Sequence, residues 1–325
     1  MKRVLTWVKP TGAHFHIGNY FGAIAPILRA QNNPDSTVYL FLANMHALTA
    51  VHNPEEIRQN SINIIKTYLA CGIDPEKTIL FNPGYIPAHA ECGWILGCLT
   101  NMGTMERMHA YKDAVAKGKA NEISVGVFTY PILMAADILL YDTNEVPVGK
   151  DQKQHVEYAR DIAEKFNRQF GETFTLPEPI IDTAVATVPG IDGRKMSKSY
   201  NNYIGMLDDE ATLMKKIKLI PTDTKGIDES KDPDTCNVYN MIKLFLTEEE
   251  DAVLRARYID GPLGYKEVKD MLFTKLTDFL KPIQDRYHAI SDETVHQVLQ
   301  AWTAKAHAQA QAKIEDIKQK VGYGF

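Results

Sequence analysis

From the N-terminus to about residue 200, short apolar runs rich in β-branched and aromatic side chains alternate with stretches whose apolar residues recur every three or four positions. Val4-Leu5-Thr6-Trp7, Thr37 to Leu42, Thr78 to Phe81 and Val146-Pro147-Val148 predict strands. After the turn Pro10-Thr11-Gly12 a helical stretch opens near Gly18. Asn53 followed by Pro54 and Glu56 predicts the capped start of a helix that stops at Gly72. Val156, Ala159, Ile162, Phe166 and Phe170 predict another between Gln152 and Gly171. Strands alternating with helices of that length imply an α/β fold, a Rossmann-like doubly wound parallel sheet over residues 1–205. Past 205 the strand signal fades. Leu213 and Ile217, Val238 to Leu246, Tyr265 to Leu280, and Val295, Leu299, Trp302 and Ala306 predict amphipathic helices, so residues 206–325 read as a mainly α-helical second part.

Composition adds exclusions. With 325 residues, 45% hydrophobic and 24% charged, the chain is neither disordered nor collagenous. Its longest apolar stretch, Tyr130 to Tyr141, contains Asp137 and is shorter than the ~20 residues of a membrane span. The first residues reach Lys9 without a signal-peptide core. A cytoplasmic protein with no membrane partner is expected. Cys71, Cys92, Cys98 and Cys236 are too few and too scattered for a disulfide framework. The net charge of -5 means that any contact with nucleic acid must use local patches.

Two segments carry candidate chemistry. Pro10-Thr11-Gly12-Ala13-His14-Phe15-His16-Ile17-Gly18-Asn19 lies between the first strand and the first helix, where backbone N–H groups attract phosphate. Gly18 permits close approach, and His16 and Asn19 can donate to phosphoryl oxygens. A solvated turn, or a metal pair of His14 and His16 without a third ligand at zinc spacing, would also fit these residues. The second segment is Gly193-Arg194-Lys195-Met196-Ser197-Lys198-Ser199, behind the flexible Pro189-Gly190-Ile191-Asp192. Three cations and two hydroxyls on such a loop can close over a triphosphate, and as a bare charge cluster they could equally be a solvated turn. Together the His-Ile-Gly-Asn and Lys-Met-Ser-Lys-Ser strings resemble the class I aminoacyl-tRNA synthetases, whose corresponding segments bind ATP from opposite sides. The resemblance runs over essentially the whole chain.

Within that family the segment Tyr130 to Tyr141 is similar to the specificity helix of the tryptophan enzymes. Tyr130, Met134 and Asp137 fall at i, i+4 and i+7 on one face. A carboxylate in so apolar a helix must find a donor, commonly an internal Arg or a backbone N–H. The resemblance instead implies that Asp137 accepts the indole N–H, that Met134 packs on the ring, and that Tyr130 and Gln152 hold the amine with His46 nearby. For ATP it implies Lys9, Pro10, Thr11, Gly18, Asn19, Gly149, Lys150, Asp151, Val188, Lys195, Met196, Ser197, Lys198 and Ser199, with His16, Lys195 and Lys198 catalytic. Departures from the commonest bacterial pattern are Lys9 for glutamine, Lys150 for an acidic residue, Asn44 for aspartate, and Trp7 and Leu5 on the pocket wall.

The activity so implied is ATP-dependent formation of tryptophanyl-adenylate and transfer of the acyl group to tRNA(Trp). Mg²⁺ would bridge phosphates, with no metal cage made by the protein. The resemblance further implies a homodimer and an anticodon-binding role for residues 206–325. Lys215, Lys216 and Lys218 are equally well explained as a solvated face, so tRNA contacts stay unassigned. The alternatives are the related tyrosine enzymes, which lack the Met-Ala-Ala-Asp helix, and a catalytically silent relative.

Overall fold

The apolar runs do form a sheet. A computed structural model describes residues 1–12, 15–116, 118, 122–181 and 188–323. Five strands, β1 (Lys2–Val8), β2 (Ser36–Leu42), β3 (Thr78–Phe81), β4 (Glu145–Pro147) and β5 (Glu178–Ile180), pair in parallel in the order β3-β2-β1-β4-β5. The expectation of an α/β doubly wound sheet followed by helices is met. In β2, Val38, Leu40 and Leu42 point into one apolar core and Tyr39 and Phe41 into the other, so the sheet is covered on both faces. The winding reverses between β1 and β4, which opens a crevice beyond their carboxyl ends. The turn after β1, one of the two segments expected to hold a nucleotide, and the loop after β4, expected at the ribose, border it.

The helix Pro54–Ala70 begins where the sequence places it. The Asn53 side chain accepts the N–H groups of Glu55 and Glu56 at 3.0 and 3.3 Å, and Gly72 closes the helix at φ +101°. The helix Lys153–Phe170 buries Val156, Ala159, Ile162 and Phe166 and ends at Gly171, φ +94°. The first helix is less regular. A π turn over Tyr20–Ile24 separates Ile17–Asn19 from Ala25–Gln31, next to Pro26, which has no N–H to keep the α ladder in register.

Among the elements that were not foreseen, three have a plain physical reason. β5 carries Pro179 and is half exposed, as suits an edge strand, but shows no alternation. The helix Ala88–Leu99 is apolar nearly all round and interrupted by Gly93 and Gly97, so no stripe marks it. The helix Glu248–Asp260 buries only Leu254 and Tyr258.

The second part contains the helices Glu210–Lys218, Asn237–Ile242, Glu248–Asp260, Tyr265–Ala289 and Asp292–Val321. Leu213, Val238, Leu272 and Leu280 share one core with Ile17, Ile24 and Leu40 of the sheet layer. Packing therefore crosses the boundary expected at 205/206. It does so again at the far face, where Ala306, Ala310, Ile314 and Ile317 of the last helix join Leu5, Phe81 and Ile138. Among the described residues no helix is long and apolar enough to cross a membrane.

Candidate active site

The turn after β1, expected to meet a nucleotide, leads into His16, the N-cap of Ile17–Asn19. Its Nδ1 accepts the Asn19 N–H at 3.2 Å, while Asn19 Oδ1 accepts the His16 N–H at 3.0 Å. A ring that caps through Nδ1 presents its proton on Nε2, away from the helix and available to a ligand. Burial, reinforced by the charge of Lys198, pushes the His16 imidazole down to about 4. His16 is thus a neutral hydrogen-bond donor at physiological pH.

The Lys-Met-Ser-Lys-Ser loop closes on the same place from the other end of the sheet domain. Phe15 O accepts the Met206 N–H at 2.9 Å and Ile204 O accepts the Ile17 N–H at 3.0 Å, so the first segment is stitched through the backbone to the stretch that follows the loop. A Cβ on Gly12 would lie 3.2 Å from Lys198 Nζ, and one on Gly18 would lie 2.9 Å from His16 Nδ1 and 3.5 Å from Met196 Cβ. Met196 is buried and anchors the loop, its N–H donating to Val188 O at 2.9 Å, while Lys195 and Lys198 remain exposed. Ser197 caps the turn Lys198–Tyr200 by accepting the Ser199 N–H at 3.2 Å. Lys150, Asp151 and Gln152 form a tight turn beyond β4, in which Gln152 Nε2 donates to Asp151 Oδ2 at 2.9 Å. A Cβ on Gly149 would lie 2.6 Å from Asp151 Oδ1, so a side chain there would push the exposed Asp151 carboxylate aside. Ala13 and His14, and with them the metal-pair reading, lie outside the described residues. Among the described residues no group of three or more His, Cys, Asp and Glu side chains converges to hold a metal ion.

Beside the crevice is a cavity of about 260 Å³ lined by Trp7, Lys9, Phe41, Ala43, His46, Thr49, Tyr130, Met134 and Gln152. Five expected site residues, Lys9, His46, Tyr130, Met134 and Gln152, meet in it. Trp7 stacks on Phe41 at 6.0 Å and forms an aromatic wall. Lys9 Nζ donates to Thr49 Oγ1, also on the cavity wall, at 3.1 Å, and burial pushes its ammonium down from the ordinary lysine range. Tyr130 OH and His155 Nε2 lie 2.8 Å apart.

Asp137 lies one turn deeper on the same helix face, and its side chain is only 1% exposed. Its donors are two histidines, where a buried Arg or backbone N–H would be the ordinary partner. His46 Nε2 is 2.7 Å from Oδ2, and His89 Nδ1 is 2.5 Å from Oδ1. Burial pushes the carboxyl up, but the hydrogen bonds from His46 and His89 outweigh it and hold Asp137 below the usual carboxylate range. An ionised acceptor is thereby maintained behind the cavity. One of its two histidines, His46, is also on the cavity wall.

Sequence reasoning missed His89, His155 and Asn202. Asn202 is buried and fastens the cationic loop: Oδ1 accepts the Ser197 N–H at 2.8 Å, and Nδ2 donates to Asp192 Oδ1 at 2.7 Å and Lys195 O at 3.2 Å. Gly190 is its complement, since a Cβ there would lie 2.3 Å from Asn202 Nδ2. A polar residue so soon after a strongly charged loop was the one signal available.

Residues 1–281 match the family of class I tRNA synthetases for W and Y. Over 322 residues the chain is 44% identical to the tryptophan--tRNA ligase of Campylobacter jejuni, spanning 98% of this chain and 99% of that one. It is 42% identical over 330 residues to the tryptophan--tRNA ligase of Neisseria meningitidis, covering 99% and 98%. The fold superimposes on a crystal structure of the Campylobacter jejuni tryptophanyl-tRNA synthetase complexed with ADP and tryptophan, with a TM-score of 0.89, 43% identity and coverage of 98% and 99%.

Proposed function

The chain belongs to the class I tRNA synthetases for tryptophan and tyrosine, with the activity of a tryptophan--tRNA ligase, and from that premise we propose how its residues divide the work. It activates L-tryptophan with ATP and charges tRNA(Trp). In the first step the substrate carboxylate attacks the α-phosphorus, the adenylate forms and pyrophosphate leaves. In the second, a hydroxyl of the tRNA terminal ribose attacks the acyl carbon and AMP leaves. A carboxylate is already nucleophilic at neutral pH, so the first step needs alignment and charge stabilisation rather than a base.

The cavity beside the crevice carries this reading, because it gathers the amino-acid residues on one side of the point where the two nucleotide loops meet. Asp137 accepts the indole N–H, Met134 and the aromatic wall flank the ring, and Tyr130, Gln152 and His46 surround the amine. Pro10, Thr11, Gly18, Asn19 and Val188 frame the nucleotide, and Gly149, Lys150 and Asp151 meet the ribose. His16 Nε2–H and the Lys195 and Lys198 ammonium groups, with Met196, Ser197 and Ser199 shaping their loop, neutralise the pyrophosphate as it departs. Mg²⁺ enters as part of the substrate MgATP, whose phosphates the cations and amides of the two loops hold. Lys9, at the junction, adds a cation between the carboxylate and the α-phosphate.

Pyrophosphate exchange with tryptophan, tyrosine and phenylalanine tests the assignment. Tryptophan is expected to dominate, and Asp137→Ala to lose about 100-fold or more in kcat/KM for it. Lys9→Gln is expected to raise the KM for ATP about three- to tenfold. Exchange with tyrosine at parity, or an unaffected Asp137→Ala, would overturn the reading of the pocket.

We further assign the enzyme to the cytoplasm and to a homodimer, and residues 206–325 to the tRNA anticodon. A second copy fits an apolar surface on which Leu48, Tyr85, Trp94, Met102 and Val125 stand exposed on elements that touch one another.

A further inference from the structure

The two histidines on Asp137 are not equivalent. His46 faces the cavity, whereas His89 is fully buried and does not line it. His89 sits in the first turn of Ala88–Leu99, flanked by the rings of Phe81 and Tyr141 at 6.0 and 5.6 Å. Its Nδ1 is bonded to Asp137 Oδ1, and its Nε2 lies 2.8 Å from the Tyr141 hydroxyl. Tyr141 is itself fully buried, and burial, with the nearby Asp137 charge, pushes its hydroxyl far above the ordinary tyrosine range. That hydroxyl keeps its proton and can donate it to Nε2, which leaves the ring proton on Nδ1, aimed at the carboxylate. The opposite tautomer would set a nitrogen lone pair against Oδ1 at 2.5 Å.

Tyr141 cannot swing away. Its ring is held by Tyr39 at 5.2 Å and Phe81 at 4.8 Å, its carbonyl accepts from Gln309 Nε2 at 3.2 Å, and the Tyr39 hydroxyl donates to Gln309 Oε1. Oδ1 of Asp137 is therefore held by a rigid donor on the core side, while Oδ2 is bonded to His46, a residue of the cavity wall, and keeps a second lone pair.

We propose that His89, backed by the Tyr141 hydroxyl, is a positioning residue that fixes the rotation of Asp137 and so confines its free acceptor to the place where the indole N–H arrives. His89 touches no substrate and acts through Asp137 alone. The inference rests on the reading that Asp137 accepts the indole N–H. A His89 that merely filled core space would affect every amino-acid substrate alike. A His89 that aims the acceptor affects only a ring that carries an N–H donor.

The probe is 3-benzothienylalanine, which has the shape of tryptophan with sulfur in place of the N–H. The measured quantity is the ratio of kcat/KM for tryptophan to that for the analogue in pyrophosphate exchange. His89→Leu is expected to lower this ratio about 10- to 100-fold while leaving the KM for ATP nearly unchanged. His89→Asn, whose amide N–H stands near the place of Nδ1–H, is expected to recover most of it. Equal losses with both substrates in His89→Leu would overturn the proposal. Should that variant fail to fold, Tyr141→Phe removes a single oxygen and decides the matter: a ratio about threefold lower or more supports the proposal, and an unchanged ratio overturns it. Asp137→Ala separates the two levels. A wild-type ratio there refutes the pocket assignment and this inference with it, whereas a collapsed ratio there with intact ratios in the His89 and Tyr141 variants refutes this inference alone.

Discussion

His16 shows how a single ring is fitted to two tasks. Its Nδ1 caps a helix, which requires the uncharged ring, and the cap leaves the ring proton on Nε2 for a ligand. Because its folded value of about 4 lies below the ordinary 6.5, the folded form resists protonation while the unfolded chain accepts it. This contribution to stability is complete above pH 6.5 and is lost as pH falls from 6.5 towards 4. His16→Asn keeps a cap acceptor but has no titrating ring, so its melting temperature is expected to fall less than that of the wild type over that interval. Parallel melting curves would refute the account. The same scale shows what the sequence made legible. The position of Asp137 on one face with Tyr130 and Met134 followed from helical spacing, but its donors come from positions 46 and 89, brought near only by the tertiary fold. No local pattern encodes such a meeting.

Among elements, the cationic loop behaves as a strap held at one knot. Asn202 makes three hydrogen bonds to it, one of them to the Lys195 carbonyl, and Met196 plugs it into the core, while the side chains of its two lysines stay exposed. Asn202→Ala removes the knot while leaving both lysine side chains in place. The KM for ATP is expected to rise about tenfold, since each lost buried bond costs ~1 kcal/mol or more, while the KM for tryptophan stays close to wild type. A shift in the tryptophan KM of the same size would show a general loss of structure instead. Element recognition failed where side-chain period failed. Ala88–Leu99 is apolar on every side, and Glu248–Asp260 is charged on most, so neither carries a stripe. The second did carry a readable start, since Thr247 and Glu250 form a reciprocal capping box at 3.2 and 3.0 Å.

At the scale of the whole molecule, the exposed apolar residues around Trp94 lie on the elements that also build the amino-acid cavity: Leu48 follows His46, and Val125 opens the helix that bears Tyr130. A dimer formed there would place each cavity close to the joint. Trp94→Asp is expected to sediment as a monomer and to lose charging activity more than pyrophosphate exchange. Retention of the dimer would exclude this surface. The division of the chain into a sheet part and a helical part was legible from periodicity, but the return of the last helix across the sheet layer was not, because an amphipathic stripe reveals that a face is buried and not what buries it.

That return has a consequence for the order in which the protein matures. Gln309 and the small residues Ala306 and Ala310 complete the shelf under Tyr39 and Tyr141, yet the ribosome makes them after every strand and after the histidines that grip Asp137. Until that closing helix emerges and settles, the pocket's backing is unfinished and a broad oily surface stays bare. An emerging chain is therefore expected to complete the backing of this cavity only after residue 310 has been made.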